Sequence, residues 1–251
     1  MTALTDKRIL VAGGTGNVGR HLVDAVLAAE GTAIVLSRSA EKLATLAQAR
    51  DGAHDGRLVP LLGDIGDVHE AAALLERAGP LHGAVASLGS FVATPSAGIL
   101  ASSSVDLQSA LDGYLAAHLA AARAVIPALE PQGGGYVTIQ GPLAFEPLFT
   151  TTGLVSVATA AQAMLSRILM QELAESSVRV NEVVIYASLG WGDDDQGAVT
   201  GADIGRYVTH LLSDEGAGVR GRRIHLMSPA QVAGLPSLGR DTAPSVRRRG
   251  G

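Results

Sequence analysis

Three glycines near the start of the chain have the spacing of a phosphate-binding loop. Gly13, Gly16 and Gly19 form the pattern G-x-x-G-x-x-G between an apolar run at 9–12 and a stretch with helical spacing at 21–27. Glycine permits a tight strand-to-helix turn and lets a pyrophosphate approach the backbone, and the N-terminus of the helix attracts the anion. The position of the motif therefore predicts a dinucleotide-binding loop. The other loop residues predicted to contact the cofactor are Thr15, Asn17 and Val18.

The end of the second predicted strand indicates which dinucleotide is bound. Enzymes that use NAD commonly place a carboxylate there to bind the ribose hydroxyls, whereas this chain has Ser37-Arg38. A guanidinium pairs well with a 2′-phosphate, so NADP(H) is favoured over NAD(H). The alternative is that Arg38 is a solvated residue at the start of a helix.

Apolar runs alternate with segments of helical spacing as far as residue 227. This alternation predicts an α/β protein with a single-domain, doubly wound parallel sheet (a Rossmann fold) and helices on both faces. The predicted strands are 9–12, 33–36, 57–62, 83–86, 136–139, 178–185 and 223–226. The predicted helices are 21–27, 39–50, 68–78, 106–129, 155–175 and 200–212, with Ser39 and Thr200 as capping residues.

The remaining part of the chain has a different composition. Residues 1–228 are predicted to form the folded domain, and 229–251, rich in Pro, Gly and Arg, to form a solvated tail. The alternative is that the tail is an arm that docks on a neighbouring subunit or an anionic partner.

Composition excludes several classes of function. The chain of 251 residues has no cysteine, which excludes disulfides, a thiolate nucleophile and a cysteine-based zinc site. The formal net charge of -5 argues against a nucleic-acid partner, and no signal-peptide pattern or obvious membrane span is seen, so a cytoplasmic location is expected. The acidic run 193–195 is consecutive and cannot easily face one ion, so no metal site is predicted.

These features together resemble the short-chain dehydrogenase/reductase family over residues 6–227. Gly63-Asp64-Ile65 resembles the family's pair that contacts adenine, 179–183 is similar to its R-V-N segment, and 211–221 to its L-x-S-D-E…G ending. The resemblance implies a nicotinamide cofactor, a small-molecule substrate, and a homodimer or homotetramer built on the two long helices. The further cofactor contacts that it implies are Asp64, Ile65, Ala86, Ser87, Leu88 and Thr159.

The chain departs from the family's usual catalytic site, which uses Asn, Ser and Tyr-x-x-x-Lys. Aligned backward from 169–173, these positions fall on Tyr114 for Asn, Gly141 for Ser, Val155 for Tyr and Thr159 for Lys. The only lysines are Lys7 and Lys42, so the sequence contains no Tyr-x-x-x-Lys. A positioned acid contributes about 10²–10⁴ in rate, so its loss excludes the usual ketoreductase mechanism, but not hydride transfer.

Three other side chains are candidates for the missing catalytic groups. Tyr114 is predicted to donate a proton, with a pKa near the ordinary value of about 10 because no cation is near in sequence. His118 lies one helical turn further on, and Gln140 ends the fifth strand, where its amide could bind a carbonyl oxygen or the nicotinamide. The alternatives are an aromatic ring that fills space, an interface histidine and a structural amide.

The few aromatic residues are concentrated after the fifth and sixth predicted strands. Loops at the carboxyl ends of strands build the ligand cleft in such sheets, so an apolar substrate pocket is predicted there, with ordinary loop packing as the alternative. Its predicted lining is Phe145, Phe149, Val155, Tyr186 and Trp191.

Three functions remain open at this point. The first is an atypical NADP(H)-dependent oxidoreductase for a small apolar substrate, where an imine or activated alkene fits better than a ketone because it needs less acid assistance. The second is a non-redox enzyme on the same scaffold, namely an isomerase, cyclase or dehydratase. The third is a cofactor-binding or sensing protein without turnover.

Overall fold

The carboxyl ends of seven parallel strands set the geometry of this protein. The computed structural model describes residues 4–50, 56–186 and 199–233. The strands are β1 (Arg8–Ala12), β2 (Thr32–Ser37), β3 (Leu58–Leu62), β4 (Gly83–Ala86), β5 (Gly135–Gln140), β6 (Arg179–Ile185) and β7 (Arg223–Leu226). They form one sheet in the order β3-β2-β1-β4-β5-β6-β7, with every pairing parallel. The predicted fold class is confirmed, and the strand ends lie within one residue of the prediction.

Helices cover both faces of this sheet. They are α1 (Gly19–Ala28), α2 (Ala40–Gln48), α3 (Val68–Ala78), α4 (Ser104–Leu111), α5 (Ala117–Leu129), α6 (Gly153–Glu172), α7 (Gly201–Leu212) and α8 (Ala230–Ala233). Helices α1, α2 and α7 share a core with one face of the strands, and α3 and α5 share a core with the other. Both predicted caps are confirmed, because the Ser39 and Thr200 hydroxyls accept hydrogen bonds from the third residue of each helix.

The strands are apolar because they are buried on both sides. Ile9 and Val11 pack into the core on the α1 side, whereas Leu10 and Ala12 pack into the core on the α3 side. Successive side chains of a strand point to opposite faces, so a strand covered on both faces reads as a continuous apolar run.

The strand order positions the site. β1 lies between β2 and β4, so the chain leaves β1 toward one side of the sheet and later returns to the other side. In such sheets the ligand binds at this switch point, outside the carboxyl ends of the strands.

Two features differ from the sequence prediction. A π-helical turn, Asp112–Ala116, joins α4 to α5 where one uninterrupted helix over 106–129 is predicted. The folded chain also continues past the predicted boundary at 228, because α8 follows β7 and its Val232 is 1% exposed within the core.

One helical stretch, Thr150–Glu172, is long and apolar enough to cross a membrane by length and composition. It includes α6, which packs against β5 and β6, and a core helix passes the same test. The stretch is therefore weak evidence for a membrane span, and the predicted absence of a membrane partner stays a prediction.

Candidate cofactor cleft and active site

The glycine loop after β1 lies directly against the end of β4. Gly13 has φ +81°, and a Cβ added to it would lie 2.2 Å from the carbonyl oxygen of Ser87. A Cβ on Gly19 would lie 2.1 Å from the carbonyl oxygen of Gly13. Real Cβ atoms do not approach so closely, so both positions require glycine, and the loop presents its backbone to the cleft.

The loop is also tied to the end of β2 and leads into an uncapped helix. The Thr15 and Ser37 hydroxyls are hydrogen-bonded at 3.0 Å. Helix α1 begins after Val18 without a capping side chain, whereas α2, α3, α4 and α7 each begin with one. The first turn of α1 therefore offers its positive end to an anion in the cleft.

A cavity of about 390 Å³ extends from this loop toward the end of β2, and we call it the charged cavity. Two cations, Arg38 and Lys42, line it together with two carboxylates, Asp64 and Asp112, and the Arg38 guanidinium lies 3.6 Å from the Asp64 carboxylate. No carboxylate ends β2 itself, where Ser37 is followed by Arg38. Predicted contacts found in this lining are Gly13, Thr15, Gly16, Ser37, Arg38, Asp64, Ile65, Ser87 and Leu88.

A second cavity of about 360 Å³, which we call the neutral cavity, continues the first. Both are lined by Gly16, Ser87, Leu88 and Gly89, so they form one cleft across the carboxyl ends of β1 and β4. Predicted residues found in its lining are Asn17, Val18, Tyr114, Gln140, Val155 and Thr159. Gly19 and Ala86 are buried and line neither cavity, so they act on the cleft only through packing.

Tyr114 enters the neutral cavity from the π-helical turn. Its ring packs on Gly89, where an added Cβ would lie 2.7 Å from Cε1 of the ring. The sequence predicts an ordinary pKa for this phenol, but burial raises the pKa of Tyr114 above 10. The phenol therefore stays protonated at neutral pH and can act as a hydrogen-bond donor, although not as an anionic base.

The wall formed by α6 carries hydroxyl and amide groups that are already hydrogen-bonded. The Thr159 hydroxyl donates to the carbonyl oxygen of Val155 at 2.7 Å. The Gln140 amide donates to the carbonyl oxygen of Thr159 at 2.9 Å and accepts from the Gly141 N–H at 3.0 Å. Both ends of Gln140 therefore have a partner in the backbone, which fixes the orientation of the amide, while its second N–H stays available for the predicted contact with a substrate carbonyl.

His118 lies behind the cleft and lines neither cavity. Its Nε2 is 3.1 Å from the carbonyl oxygen of Leu88, and its Nδ1 is 3.5 Å from the amide nitrogen of Gln162. The side chain is 1% exposed, and this burial lowers the pKa of His118 to about 4. The imidazole is therefore neutral at pH 7 and fully engaged, so the geometry gives it a positioning role and no direct path to a substrate.

The aromatic residues predicted to line the substrate pocket gather elsewhere. Phe145 lies 5.4 Å from the His225 ring and 4.7 Å from the Arg223 guanidinium, and the Tyr186 hydroxyl bonds His225 Nδ1 at 2.9 Å. These cationic and polar partners at the ends of β6 and β7 hold the rings outside the cleft. Phe149 is 64% exposed and Trp191 lies outside the described residues, so Val155 alone of this predicted set lines the neutral cavity.

The structure also places in the cleft residues that the sequence analysis did not predict as ligand contacts. Lys42 and Ser39 line the charged cavity from the start of α2, and Gln162 and Phe91 line the neutral cavity. A signal for Lys42 exists, because it lies one turn into the helix that follows Arg38. Within ranges 4–50, 56–186 and 199–233, no cluster of three His, Asp or Glu side chains is able to hold a metal ion.

The fold and cleft define a class of dinucleotide-dependent oxidoreductases. A model of the short chain dehydrogenase family matches residues 7–187, so this chain belongs to that family, whose members use nicotinamide cofactors on small-molecule substrates. The resemblance seen in the sequence is thereby confirmed.

Related proteins agree with this assignment. L-xylulose reductase of Caenorhabditis elegans is 29% identical over 203 residues, covering 76% of this chain and 78% of that protein. Ketoacyl reductase HetN of Nostoc sp. is 24% identical over 184 residues, and the match spans 73% of this chain and 64% of that protein, which is less than two thirds of its length. The NADPH-bound structure of a short chain oxidoreductase from Pseudomonas aeruginosa PAO1, which contains an atypical catalytic center, superposes with a TM-score of 0.80 at 21% identity, covering 95% of this chain and 100% of that one.

Proposed function

We propose that this chain is an NADP(H)-dependent oxidoreductase that acts on a small apolar substrate without a Ser-Tyr-Lys site. The observation that carries the proposal is the single cleft in which Arg38 and Lys42 lie at the end of β2, whereas no charged side chain of the described residues lines the part beside α6. NADPH has a matching distribution of charge, because its 2′-phosphate lies on the adenosine half and its reduced nicotinamide, at the other end, is uncharged.

The residues of the cleft fit this cofactor. The Gly13–Gly16 loop and the first turn of α1 would hold the pyrophosphate, and Asp64 and Ile65 would border the adenine. Arg38 and Lys42 would bind the 2′-phosphate that distinguishes NADP from NAD. When bound, the cofactor supplies hydride transfer to or from carbon.

The chain's own residues orient the substrate and supply little acid. Tyr114 is the side chain of the neutral cavity with an ionisable hydroxyl, and its raised pKa keeps that hydroxyl protonated. Val155 and Thr159 occupy the usual Tyr and Lys positions and supply no proton, since the Thr159 hydroxyl is bonded to its own helix. Tyr114 is therefore the donor of any proton that the chain supplies.

The proposed cofactor preference is tested by calorimetric titration of NADPH and NADH against the wild type and Arg38→Ala. We expect NADPH to bind at least about tenfold more tightly, and Arg38→Ala to weaken NADPH alone, because a charge-assisted contact to phosphate contributes about 1.5–3 kcal/mol. Glu41→Ala, a change on the neighbouring exposed first turn of α2, is the control that should leave the ratio unchanged. Equal affinities for the two cofactors in the wild type would contradict the proposal.

A second candidate is a cofactor-sensing protein without turnover. It is favoured by the hydrogen bonds that already engage Gln140 and Thr159, the polar side chains nearest to the usual catalytic positions. NADPH binding combined with no oxidation of NADPH across panels of carbonyl, imine and activated alkene compounds would select this candidate.

We further propose that the chain forms a homodimer or homotetramer through α5 and α6. Large apolar side chains are exposed on these helices, namely Leu119, Val157, Met164 and Ile168. Light scattering at micromolar concentration should give a dimer or tetramer for the wild type and a monomer for Ile168→Glu. A monomeric wild type would contradict this.

A further inference from the structure

The α6 wall of the neutral cavity presents acceptors where the usual site of the family presents donors. The hydroxyl hydrogen of Thr159 is directed to the carbonyl oxygens of Val155 and Ser156, at 2.7 and 3.2 Å. Its oxygen can therefore only accept a further hydrogen bond from a ligand. The side chain at 155 is a valine, which offers neither a donor nor an acceptor.

Gln162 extends this pattern one turn deeper. Its amide nitrogen lies 3.1 Å from the carbonyl oxygen of Ile139 and 3.5 Å from His118 Nδ1. A carbonyl oxygen can face only an N–H, so this contact fixes which end of the amide is nitrogen. Both N–H groups of Gln162 are thus directed away from a ligand.

The amide oxygen of Gln162 is the end that remains for a ligand. No donor among the described residues is bonded to this oxygen, and the oxygen is not fully buried. The oxygen therefore has access to the neutral cavity, which Gln162 lines although the residue is only 1% exposed. A largely buried acceptor without a partner favours a ligand N–H or O–H.

The charge of the cavity points in the same direction. Among its described lining residues only Tyr114 has an ionisable side chain, and that phenol stays neutral. Reduction of a ketone develops negative charge on oxygen, which the Thr159 and Gln162 oxygens would destabilise if the ketone oxygen faced them. The same oxygens favour binding of a protonated imine, whose positive charge no cation among the described lining residues repels, and they select the bound substrate without accelerating its reduction.

We propose that the substrate class is a C=N compound that reacts as its protonated iminium, with the Gln162 amide oxygen accepting the iminium N–H. This inference rests on the proposed function, since a dihydronicotinamide is the hydride donor. The hydride forms the new C–H bond, the π pair of C=N moves to nitrogen, and the positive charge is cancelled. The product amine keeps its N–H, so two electrons and one hydrogen are transferred and the protein supplies no proton.

Three probes of similar size separate charge from hydrogen bonding. These are protonated 3,4-dihydroisoquinoline, N-methyl-3,4-dihydroisoquinolinium and 2-tetralone, and their binding is measured by calorimetry with the full chain, with and without NADPH. We expect the protonated imine to bind at least about tenfold more tightly than the N-methyl cation, because the latter lacks the charge-assisted hydrogen bond. We expect the neutral ketone to bind more weakly than the protonated imine.

Gln162→Leu should abolish the difference between the two cations and leave ketone binding unchanged. Gln171→Leu, the same substitution at an exposed position of α6, is the matched control and should preserve the wild-type ranking. A merely structural role for Gln162 would weaken all three probes alike. The wild-type ranking needs no variant, so the inference stays testable if Gln162→Leu fails to fold.

Two results would overturn the inference: equal binding of the two cations by the wild type, or tightest binding of the ketone. The titration of NADPH alone is read separately. Failure to bind NADPH with the probe ranking intact would count against the proposed function and not against the acceptor role of Gln162.

Discussion

Charged side chains have opposite roles at the two ends of the parallel strands. We call the end at which the strands begin the amino edge and the end at which they finish the carboxyl edge. At the amino edge, arginine side chains donate to the carbonyl groups at the ends of helices, where the helix dipole is negative. The contacts run from Arg57 to Leu27 at 3.0 Å, from Arg8 to Ala78 at 2.7 Å and from Arg220 to Leu173 at 3.2 Å. At the carboxyl edge, Arg38 is 78% exposed beside a cleft and donates to no helix end in the described structure.

This difference separates stability from function within one sheet. Arginines of the amino edge have their donors fixed by the protein's own backbone, so they contribute to folding and offer little to a ligand. The carboxyl edge keeps glycines, one weakly paired guanidinium and the Lys42 ammonium facing a cavity. Substitutions at the two edges should therefore change different measured quantities.

The largest expected effect belongs to the glycine loop at the carboxyl edge. Gly13→Ala should weaken NADPH binding by about a thousandfold, because the new Cβ must displace the Ser87 carbonyl and the loop with it. Calorimetric titration measures the change. Gly218→Ala, at a position where an added Cβ meets nothing within 4 Å, should bind NADPH as the wild type does. Wild-type affinity in Gly13→Ala would show that the loop does not contact the cofactor.

Low pH should destabilise the folded protein through His118, the buried histidine behind the cleft. The pKa of His118 is about 4 in the folded protein and near 6.5 when unfolded, so the unfolded state binds more protons between these values. Stability contributed by neutral His118 is therefore present above pH 6.5 and falls by up to about 3 kcal/mol as the pH drops to 4. Urea unfolding at pH 7 and pH 4.5 measures this loss.

His118→Gln provides the comparison for the acid experiment. It removes this one titration while other groups, including His82 with its lowered pKa, remain in both proteins. The free-energy difference between wild type and His118→Gln should shrink at the lower pH. A difference that is constant with pH would show that His118 does not titrate on unfolding.

At the amino edge, one guanidinium nitrogen of Arg220 lies within hydrogen-bond distance of three carbonyl oxygens beyond the end of α6, those of Leu173, Ala174 and Ser176. Arg220→Ala should therefore reduce the free energy of unfolding by about 2 kcal/mol. NADPH affinity should stay unchanged. Arg38→Ala should show the reverse, with weaker NADPH binding and unchanged unfolding. If both variants altered both quantities, the separation between the two edges would fail.

The smallest expected effect concerns Tyr114. Ordinary ketones should be turned over poorly by the wild type, and Tyr114→Phe should lower the residual rate by about tenfold because a proton donor is lost. Reduction of protonated imines should be unchanged, since they need no donor. Steady-state rates with 2-tetralone and 3,4-dihydroisoquinoline make the comparison. Ketone reduction that survives both Tyr114→Phe and His118→Ala would show that the donor lies elsewhere.

The sequence predicts the strands and caps well because their causes are local. Buried parallel strands are continuous apolar runs, and Ser39 and Thr200 bond the helices that follow them. The glycine loop is equally local, since its spacing reflects contacts over a few residues. The same local patterns do not predict the π-helical turn, because one added residue leaves the amino-acid composition of the helix unchanged.

Parts of the site depend on distant contacts and so escape sequence reasoning. The role of Gln162 requires knowing that Ile139 and His118, from two other elements, take up its N–H groups. The pKa of Tyr114 rises through burial that no sequence neighbour indicates. Phe145 and Tyr186 follow the expected strands, yet His225 on β7 holds them away from the cleft.

The π-helical turn between α4 and α5 makes this part of the chain sensitive to length. An α-helix advances 100° per residue, so one extra residue in a turn rotates everything before it relative to everything after it. Deleting a single residue within 112–116 would leave two regular helices that join smoothly, yet Tyr114 and His118 could no longer both keep their present directions. Deletion of one codon, without any substitution at the catalytic positions, would thus change the direction of the Tyr114 phenol and the shape of the neutral cavity on the same sheet.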